Sequence, residues 1–296
     1  MSTGSRVCLL GFGEVGQTLA VDLRQGGGVQ NLVTWDLKFA QKDDALANRA
    51  RTLSVEVATD AQHAVADASV VLSAVTAAQA VAAAQSVAPH LSSAAYFVDL
   101  NSASPSAKQQ AQAAIGAGRG RYVEAVIMAP IAPKRIASPI LLGGPHAREF
   151  EPLARELGFT GVEVFSETIG QAAAAKMCRS VIIKGLETLL TESLVAARHY
   201  GVEKTVIESL QNLLPGHDWR KLALYMISRS LLHGTRRAEE MREVAVTVSE
   251  AGLHPWMSSA SAERQQWAAQ FREFAATEPL EAMLDQLRAA AEKTSC

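Results

Sequence analysis

The stretch from Arg6 to Asp36 constrains the fold of this chain more than any other part of its sequence. It opens with a short apolar run that ends at Leu10, and the glycine pattern G-x-G-x-x-G follows at once between Gly11 and Gly16. Apolar residues then recur at helical spacing, and a second apolar run leads to Asp36. A strand, a glycine turn, a helix and a second strand in this order predict the first half of a doubly wound α/β fold.

Each glycine of this motif has a separate mechanical role. Gly11 lets the strand turn into the helix, Gly13 lets a pyrophosphate approach the backbone, and Gly16 lets the helix pack closely on the strand. Asp36 lies 20 residues after Gly16 (36 − 16), where a carboxylate can accept hydrogen bonds from ribose hydroxyls. A glycine-rich turn without a ligand is the alternative for the motif taken alone. The predicted cofactor-binding residues here are Gly11, Phe12, Gly13, Glu14, Val15, Gly16 and Asp36.

The choice between NAD and NADP depends on the end of the second strand. The Asp36 carboxylate would repel a 2′-phosphate, which favours NAD, whereas Lys38 and Lys42 lie close enough in sequence to oppose that preference. We therefore predict NAD or NADP, with NAD favoured. Val75 and Thr76 join the predicted cofactor-binding residues, because the carboxyl end of a strand in such a sheet faces the ligand crevice.

Length and charge limit the partners. The length of 296 residues predicts two domains or one large one. The nearly balanced 28 basic and 30 acidic side chains argue against nucleic-acid or membrane partners. The uncharged run 70–88 contains polar residues, so we interpret it as a buried strand and a helix. The N-terminus does not resemble a signal peptide. Cys8, Cys178 and Cys296 are far apart, which favours free thiols in a reducing cytoplasm over a disulfide or a metal site.

Apolar runs and turn residues predict eight strands before residue 166 and only helices after it. Beyond the first two strands, the predicted strands cover residues 54–58, 68–75, 96–100, 122–128, 140–144 and 163–165. The helical patterns cover residues 170–200, 203–214, 218–251 and 261–291. We therefore expect a first domain of residues 1–166 and an all-helical domain of residues 167–296, joined by the long first helix.

Two further motifs carry a resemblance to a known family. The loop from Asp99 to Pro105 reads D-L-N-S-A-S-P, and Lys176 lies on the long helix after Gly170. With the glycine motif, they resemble the β-hydroxyacid dehydrogenase family, which includes 3-hydroxyisobutyrate and 6-phosphogluconate dehydrogenases. The segment after Lys176 is most similar to the branch with a DUF1932-type helical domain. The resemblance implies a Rossmann-type, mostly parallel sheet, an all-α C-terminal domain and a homodimer formed through that domain.

The resemblance also implies roles for individual residues. Asn101, Ser102 and Ala103 match the family loop that binds the substrate carboxylate. Lys176 matches the general acid/base, and Ser180 stands where relatives have asparagine, one helical turn further on. The alternatives are structural. A serine before Pro105 is a favourable helix N-cap, and the alternative for Lys176 is a solvated lysine on an alanine-rich face.

Some positions depart from the family pattern. Glu239 stands where most relatives have a second lysine, and His233, Arg236 or Arg237 are candidates to supply positive charge in its place. The alternative is a charged helix face with pairs such as Arg236–Glu240.

Two other segments bear on the shape of the predicted substrate pocket. Residues 124–130 lack the glycines of the corresponding family segment, so we expect a different pocket wall. His217 and Asp218 follow a Pro-Gly turn and form either a substrate lid or a surface turn.

These observations predict a cytoplasmic NAD(P)-dependent dehydrogenase that acts on a small carboxylate substrate, a β-hydroxyacid. An imine reductase on the same fold is the alternative enzyme. A non-catalytic NAD(P)-binding protein is the alternative from another class.

Overall fold

The computed structural model describes residues 6–26, 29–40, 44–212 and 215–294. Lys42, Cys296 and the predicted helix end at residues 213–214 lie outside these ranges. The chain divides into two compact units, Met1–Lys176 and Met177–Cys296. This division falls inside one continuous helix, and the domain boundary predicted between residues 166 and 167 stays a prediction.

The first unit is built on one eight-stranded sheet. Its strands are β1 Arg6–Leu10, β2 Asn31–Trp35, β3 Glu56–Val57, β4 Ala68–Ser73, β5 Tyr96–Asp99, β6 Arg121–Ile127, β7 Ile140–Gly143 and β8 Val162–Ser166. The strand order is β3-β2-β1-β4-β5-β6-β7-β8, and every neighbouring pair is parallel except β6 and β7. The mostly parallel, doubly wound sheet is therefore confirmed.

Helices connect these strands. They are α1 Glu14–Gln25, α2 Leu37–Ala40, α3 Asp44–Thr52, α4 Ala61–Val65, α5 Ala80–Val87, α6 Pro105–Ala117, α7 Ile131–Lys134 and α8 Ala147–Glu156. Short 3-10 turns cover Ala77–Gln79, Ala88–His90 and Arg135–Ala137. Alternate residues of β1 enter opposite cores, Val7 and Leu9 on one face of the sheet and Cys8 and Leu10 on the other. Burial on both faces explains why the strands read as continuous apolar runs.

All regular secondary-structure elements among the described residues of the second unit are helices. The helix α9, Gln171–His199, runs into it from the first unit. The remaining helices are α10 Glu203–Ser209, α11 Trp219–Glu250, α12 Trp256–Ala268 and α13 Leu280–Thr294, with 3-10 turns at Leu210–Asn212 and Ala269–Phe274. The predicted start at Ser261 was wrong, because α12 begins five residues earlier (261 − 256). Leu194, Ile227 and Leu284 lie in one apolar core of this unit.

No helix within the described ranges combines the length and the apolar character that crossing a membrane requires.

Candidate active site

The loops that carry most of the predicted site residues meet at one edge of the sheet. From β1 the chain continues to β2 on one side, whereas β4 lies on the other side of β1. The strand order therefore reverses between β1 and β4, and ligands of doubly wound folds bind outside the carboxyl ends of the strands at this point. The glycine turn follows β1, Val75 and Thr76 follow β4, and the Ser102 loop follows the next strand, β5.

The three motif glycines differ in what surrounds them. Gly11 has a φ of +96°, and a Cβ there would lie 2.5 Å from the Ala74 carbonyl oxygen. A Cβ on Gly16 would lie 2.3 Å from the Gly11 carbonyl oxygen, whereas a Cβ on Gly13 would meet no atom within 4 Å. Gly13 therefore borders open space at the start of α1, and no side chain caps that helix. This arrangement fits a dinucleotide whose phosphates face the helix N-terminus.

Asp36 is held against the glycine turn at the end of β2. Its Oδ2 accepts a hydrogen bond from the Phe12 N–H at 2.8 Å, and its Oδ1 accepts one from the Lys38 N–H at 3.0 Å. The Phe12 ring is fully buried, so this residue faces the site through its backbone. Glu14 is exposed in the first turn of α1, and Val15 packs against the core. The half-buried carboxylate of Asp36 suits a ribose hydroxyl pair.

Asn101 joins the ends of two strands. Its Oδ1 accepts a hydrogen bond from the Val75 N–H at 2.7 Å, and its Nδ2 donates to Ser73 Oγ at 3.0 Å. The residue is 3% exposed, and the neighbouring Ala103 is fully buried. The substrate contacts predicted for Asn101 and Ala103 stay predictions. The structure shows in addition that the Asn101 side chain holds the loop that carries Val75 and Thr76 in place.

The two serines of the loop have different partners. Ser104 Oγ accepts a hydrogen bond from the Ala107 N–H at 3.4 Å and is the N-cap of α6. Ser102 is half-buried, and its Oγ accepts a hydrogen bond from Lys176 Nζ at 2.5 Å. The N-cap interpretation therefore applies to Ser104, whereas Ser102 faces the lysine. A hydroxyl and an amine in contact can exchange a proton with a bound alcohol or carbonyl group.

A buried polar network around Asp99, at the end of β5, was missed by sequence reasoning. Lys108 is fully buried, and its Nζ contacts the Asp99 carboxylate at 2.8 Å and donates to the Asp99 carbonyl oxygen at 3.0 Å. The Tyr122 hydroxyl donates to the other carboxylate oxygen of Asp99 at 2.8 Å, and burial raises the Tyr122 pKa well above its ordinary value. One signal was available, because Asp99 and Glu124 are acidic residues inside otherwise apolar strands, and buried charges need partners.

Candidate residues of the second unit are engaged in ion pairs. Arg236 Nη1 contacts Glu240 Oε1 at 2.6 Å, and Arg237 pairs with the buried carboxylate of Glu187. Lys184, a buried lysine that sequence reasoning passed over, contacts Glu240 Oε2 at 2.5 Å. Burial lowers the pKa of Lys184. These contacts favour the charged-face interpretation of this segment.

The remaining candidate residues lie on or beside the helices α9 and α11. Ser180 is buried on α9, one turn after Lys176. His217 is exposed beside Trp219, and the Asp218 carboxylate caps α11 by accepting from the Lys221 N–H at 3.0 Å. His233 is half-buried on α11. The Asp218 cap favours a surface turn over a substrate lid at this point.

Family comparisons agree with this geometry. Residues 6–166 match the NAD binding domain of 6-phosphogluconate dehydrogenase, and residues 197–268 match the domain of unknown function DUF1932. The first match covers more than half of the chain, so the protein belongs to this 6-phosphogluconate dehydrogenase-like family and carries an NAD-binding domain. The resemblance drawn from the sequence, including its DUF1932 branch, is confirmed.

Several solved structures are similar to this chain. It is 38% identical to a conserved hypothetical protein from Sinorhizobium meliloti 1021, with 97% of each chain covered and a TM-score of 0.74. A 3-hydroxyisobutyrate dehydrogenase from Mycobacterium tuberculosis, solved with L-serine, is 18% identical at a TM-score of 0.70, covering 97% of this chain and 100% of that one. An imine reductase variant from Myxococcus stipitatus in complex with NAD⁺ is 16% identical at a TM-score of 0.59, covering 96% and 100%. The last two likenesses show a shared fold.

Proposed function

We propose that this protein is an NAD(P)-dependent oxidoreductase that interconverts a β-hydroxyacid and the corresponding carbonyl compound. The observation that carries the proposal is the 2.5 Å contact between Lys176 Nζ and Ser102 Oγ. Both residues match positions of the family motifs, and the pair lies in the same compact unit as the glycine turn. When bound, the nicotinamide supplies the hydride acceptor or donor.

The chain's own residues supply the proton chemistry. Lys176 takes the proton from the substrate hydroxyl during oxidation and returns it during reduction, as a general base and acid. Ser102 holds the amine and the substrate oxygen in one hydrogen-bonded group, and Asn101 keeps the neighbouring loop in place. Ser180, one turn after Lys176, assists in holding the substrate. Hydrogen bonds from Ser102 and the adjacent backbone orient the substrate carboxylate.

NAD is the proposed cofactor, with NADP as the alternative. The support is the Asp36 carboxylate, which two backbone N–H groups hold beside the glycine turn. A 2′-phosphate would meet this negative charge. Fluorescence titrations with NADH and NADPH test the preference, and tighter binding of NADPH would overturn it.

Replacing Lys176 by Met tests the reaction directly. A screen of β-hydroxyacids with NAD⁺ first identifies a substrate, and turnover of the variant should then fall at least about 100-fold, the lower range for lost acid–base catalysis. NADH affinity should not change. Lys204→Met is the matched control, because this side chain is 76% exposed and should leave turnover intact. A Lys176→Met protein with nearly normal kcat would refute the assignment.

An imine reductase is the alternative activity, since such enzymes share the fold. Lys176 and Ser102 favour the hydroxyacid reaction, because they suit proton transfer at an oxygen. Assays of cyclic imines beside β-hydroxyacids distinguish the two. Tight cofactor binding without turnover of either class would instead identify a non-catalytic NAD(P)-binding protein.

We also propose a homodimer formed through the helical domain, by analogy with the family, and a cytoplasmic location. Sedimentation as a monomer at micromolar concentration would refute the dimer.

A further inference from the structure

Glu124 is a buried acidic residue of strand β6 that contacts the start of α9. Its Oε2 accepts a hydrogen bond from the Gly170 N–H at 2.7 Å, and its Oε1 accepts one from the Ala173 N–H at 2.6 Å. The first N–H groups of a helix have no partner inside the helix. The Glu124 carboxylate therefore caps α9 from a neighbouring strand, with its negative charge at the favourable end of the helix dipole.

The surroundings of this carboxylate leave it little freedom. A Cβ on Gly143 would lie 2.6 Å from Glu124 Oε2, so the carboxylate fills the space beside that glycine. Gly170 has a φ of +95°, and a Cβ there would lie 3.1 Å from Pro105 Cβ. The start of α9 therefore packs directly on Pro105, the first residue of α6. Burial raises the pKa of Glu124, and the nearby Lys108 charge opposes that rise.

The anchored turn is the one that precedes Lys176. Lys176 lies three residues after Ala173 (176 − 173), which is less than one helical turn of 3.6 residues. Ser102 lies three residues before Pro105 (105 − 102), on the segment that α9 packs against. A shift of the first turn of α9 therefore changes the distance between Lys176 Nζ and Ser102 Oγ.

We propose that Glu124 is a positioning residue, which holds the first turn of α9 so that the Lys176 amine stays within hydrogen-bond distance of Ser102. Glu124 acts on the reacting groups only through the helix. The kinetic part of this inference rests on the proposed function, whereas the structural part rests on the contacts alone.

Glu124→Gln is the informative substitution. Glutamine has nearly the same shape but only one side-chain oxygen, and its NH₂ group would face a backbone N–H donor. One of the two anchoring hydrogen bonds is therefore lost. Glu124→Asp keeps the charge with a shorter reach. Glu167→Gln is the matched control, because Glu167 is 67% exposed and pairs with an exposed arginine.

Amine labelling followed by peptide mass spectrometry reads the position of Lys176 without needing activity. Lys204 is 76% exposed and calibrates the reagent, and Lys108 is fully buried and reacts only if the unit unfolds. In Glu124→Gln, labelling of Lys176 should rise at least about threefold, because the weakened turn opens more often, while Lys108 stays protected. Glu167→Gln should label like the wild type.

Kinetics supply the second measurement. We expect kcat of Glu124→Gln to fall by about 10- to 100-fold, since a displacement near 1 Å can cost about 100-fold in rate, while NADH affinity stays within about twofold of the wild type. Glu124→Asp should recover part of kcat. A variant with Lys108 protected, Lys176 labelled at the wild-type rate and kcat unchanged would overturn the proposal.

Two failures remain distinguishable. If the wild type turns over no β-hydroxyacid, the proposed function fails, and the labelling comparison still decides the positioning role. If Glu124→Gln labels at Lys108, its fold is lost, and Glu124→Asp is judged by the same two labelling outcomes.

Discussion

Substituting alanine at Gly13 and at Gly16 should separate cofactor binding from stability. Both glycines belong to one turn, yet their surroundings differ. A Cβ on Gly13 meets nothing within 4 Å, and Gly13 has an ordinary extended backbone with φ −73°. A Cβ on Gly16 would lie 2.3 Å from the Gly11 carbonyl oxygen. The first substitution therefore enters the space proposed for the phosphates, whereas the second strains the protein itself.

The size of the Gly16→Ala effect follows from this overlap. The methyl group would lie well inside ordinary van der Waals contact with a backbone oxygen that cannot rotate away, which costs about 3 kcal/mol. Replacing glycine by alanine inside a helix returns about 1 kcal/mol. The net loss of about 2 kcal/mol in the free energy of unfolding lowers Tm by about 4–8 °C for a unit of this size.

The Gly13→Ala effect on stability should be small. Alanine restricts the unfolded chain, which stabilises the protein by about 0.4–1 kcal/mol. Alanine is a poorer N-cap than glycine, which costs a similar amount of about 1 kcal/mol. We therefore expect Tm within about 2 °C of the wild type, whereas NADH affinity should fall at least about tenfold, or 1.4 kcal/mol.

Thermal unfolding by circular dichroism and NADH fluorescence titration measure the two effects. Gly116→Ala is the control, because this glycine of α6 also has open space around its Cβ and lies on a different helix. It should keep NADH affinity, and its Tm should equal or slightly exceed that of the wild type, because alanine is favoured over glycine inside a helix by about 1 kcal/mol. Wild-type NADH affinity in Gly13→Ala would refute the phosphate site, and an unchanged Tm in Gly16→Ala would refute the packing argument.

Three further predictions use other measurements. Asn101→Ala removes two internal hydrogen bonds and leaves the half-buried Val75 N–H and the buried Ser73 hydroxyl without these partners. Urea titration should therefore show a loss of about 1–3 kcal/mol in the free energy of unfolding; an unchanged value would contradict this role. Burial raises the pKa of Glu124 in the folded protein. The contribution of the protonated side chain to the free energy of unfolding is therefore complete below the pKa of the unfolded state and is lost as pH rises through the pKa of the folded state. The free energy of unfolding of the wild type relative to Glu124→Gln should therefore fall as pH rises from the ordinary glutamate range, and a difference independent of pH would contradict the shift. Burial raises the pKa of the Cys8 thiol to about 12, whereas Cys178 is exposed. Alkylation at pH 8 should modify Cys178 in the native protein and Cys8 only after denaturation, as peptide mass spectrometry would reveal, and native labelling of Cys8 would disprove its burial.

Local patterns predicted the architecture well because strands and helices have fixed periods. The apolar runs around β1, β4 and β5 each indicated a strand buried on both faces, and the glycine motif indicated the turn between β1 and α1. The ends of helices were predicted less accurately. The start of α12 at Trp256 was missed by five residues, because an exposed Trp-Met pair carries no core-facing signal.

The doubly wound sheet, the dinucleotide motif and the long helix with Lys176 could be predicted from the amino-acid sequence, since these depend on residues close together along the chain. Which serine caps α6 and which one faces the lysine could not be predicted in this way. Ser102 and Lys176 are 74 residues apart, and Glu124 and Gly170 are 46 residues apart. Such partners are chosen by how distant segments approach one another in space, and this approach depends on the packing of the whole sheet.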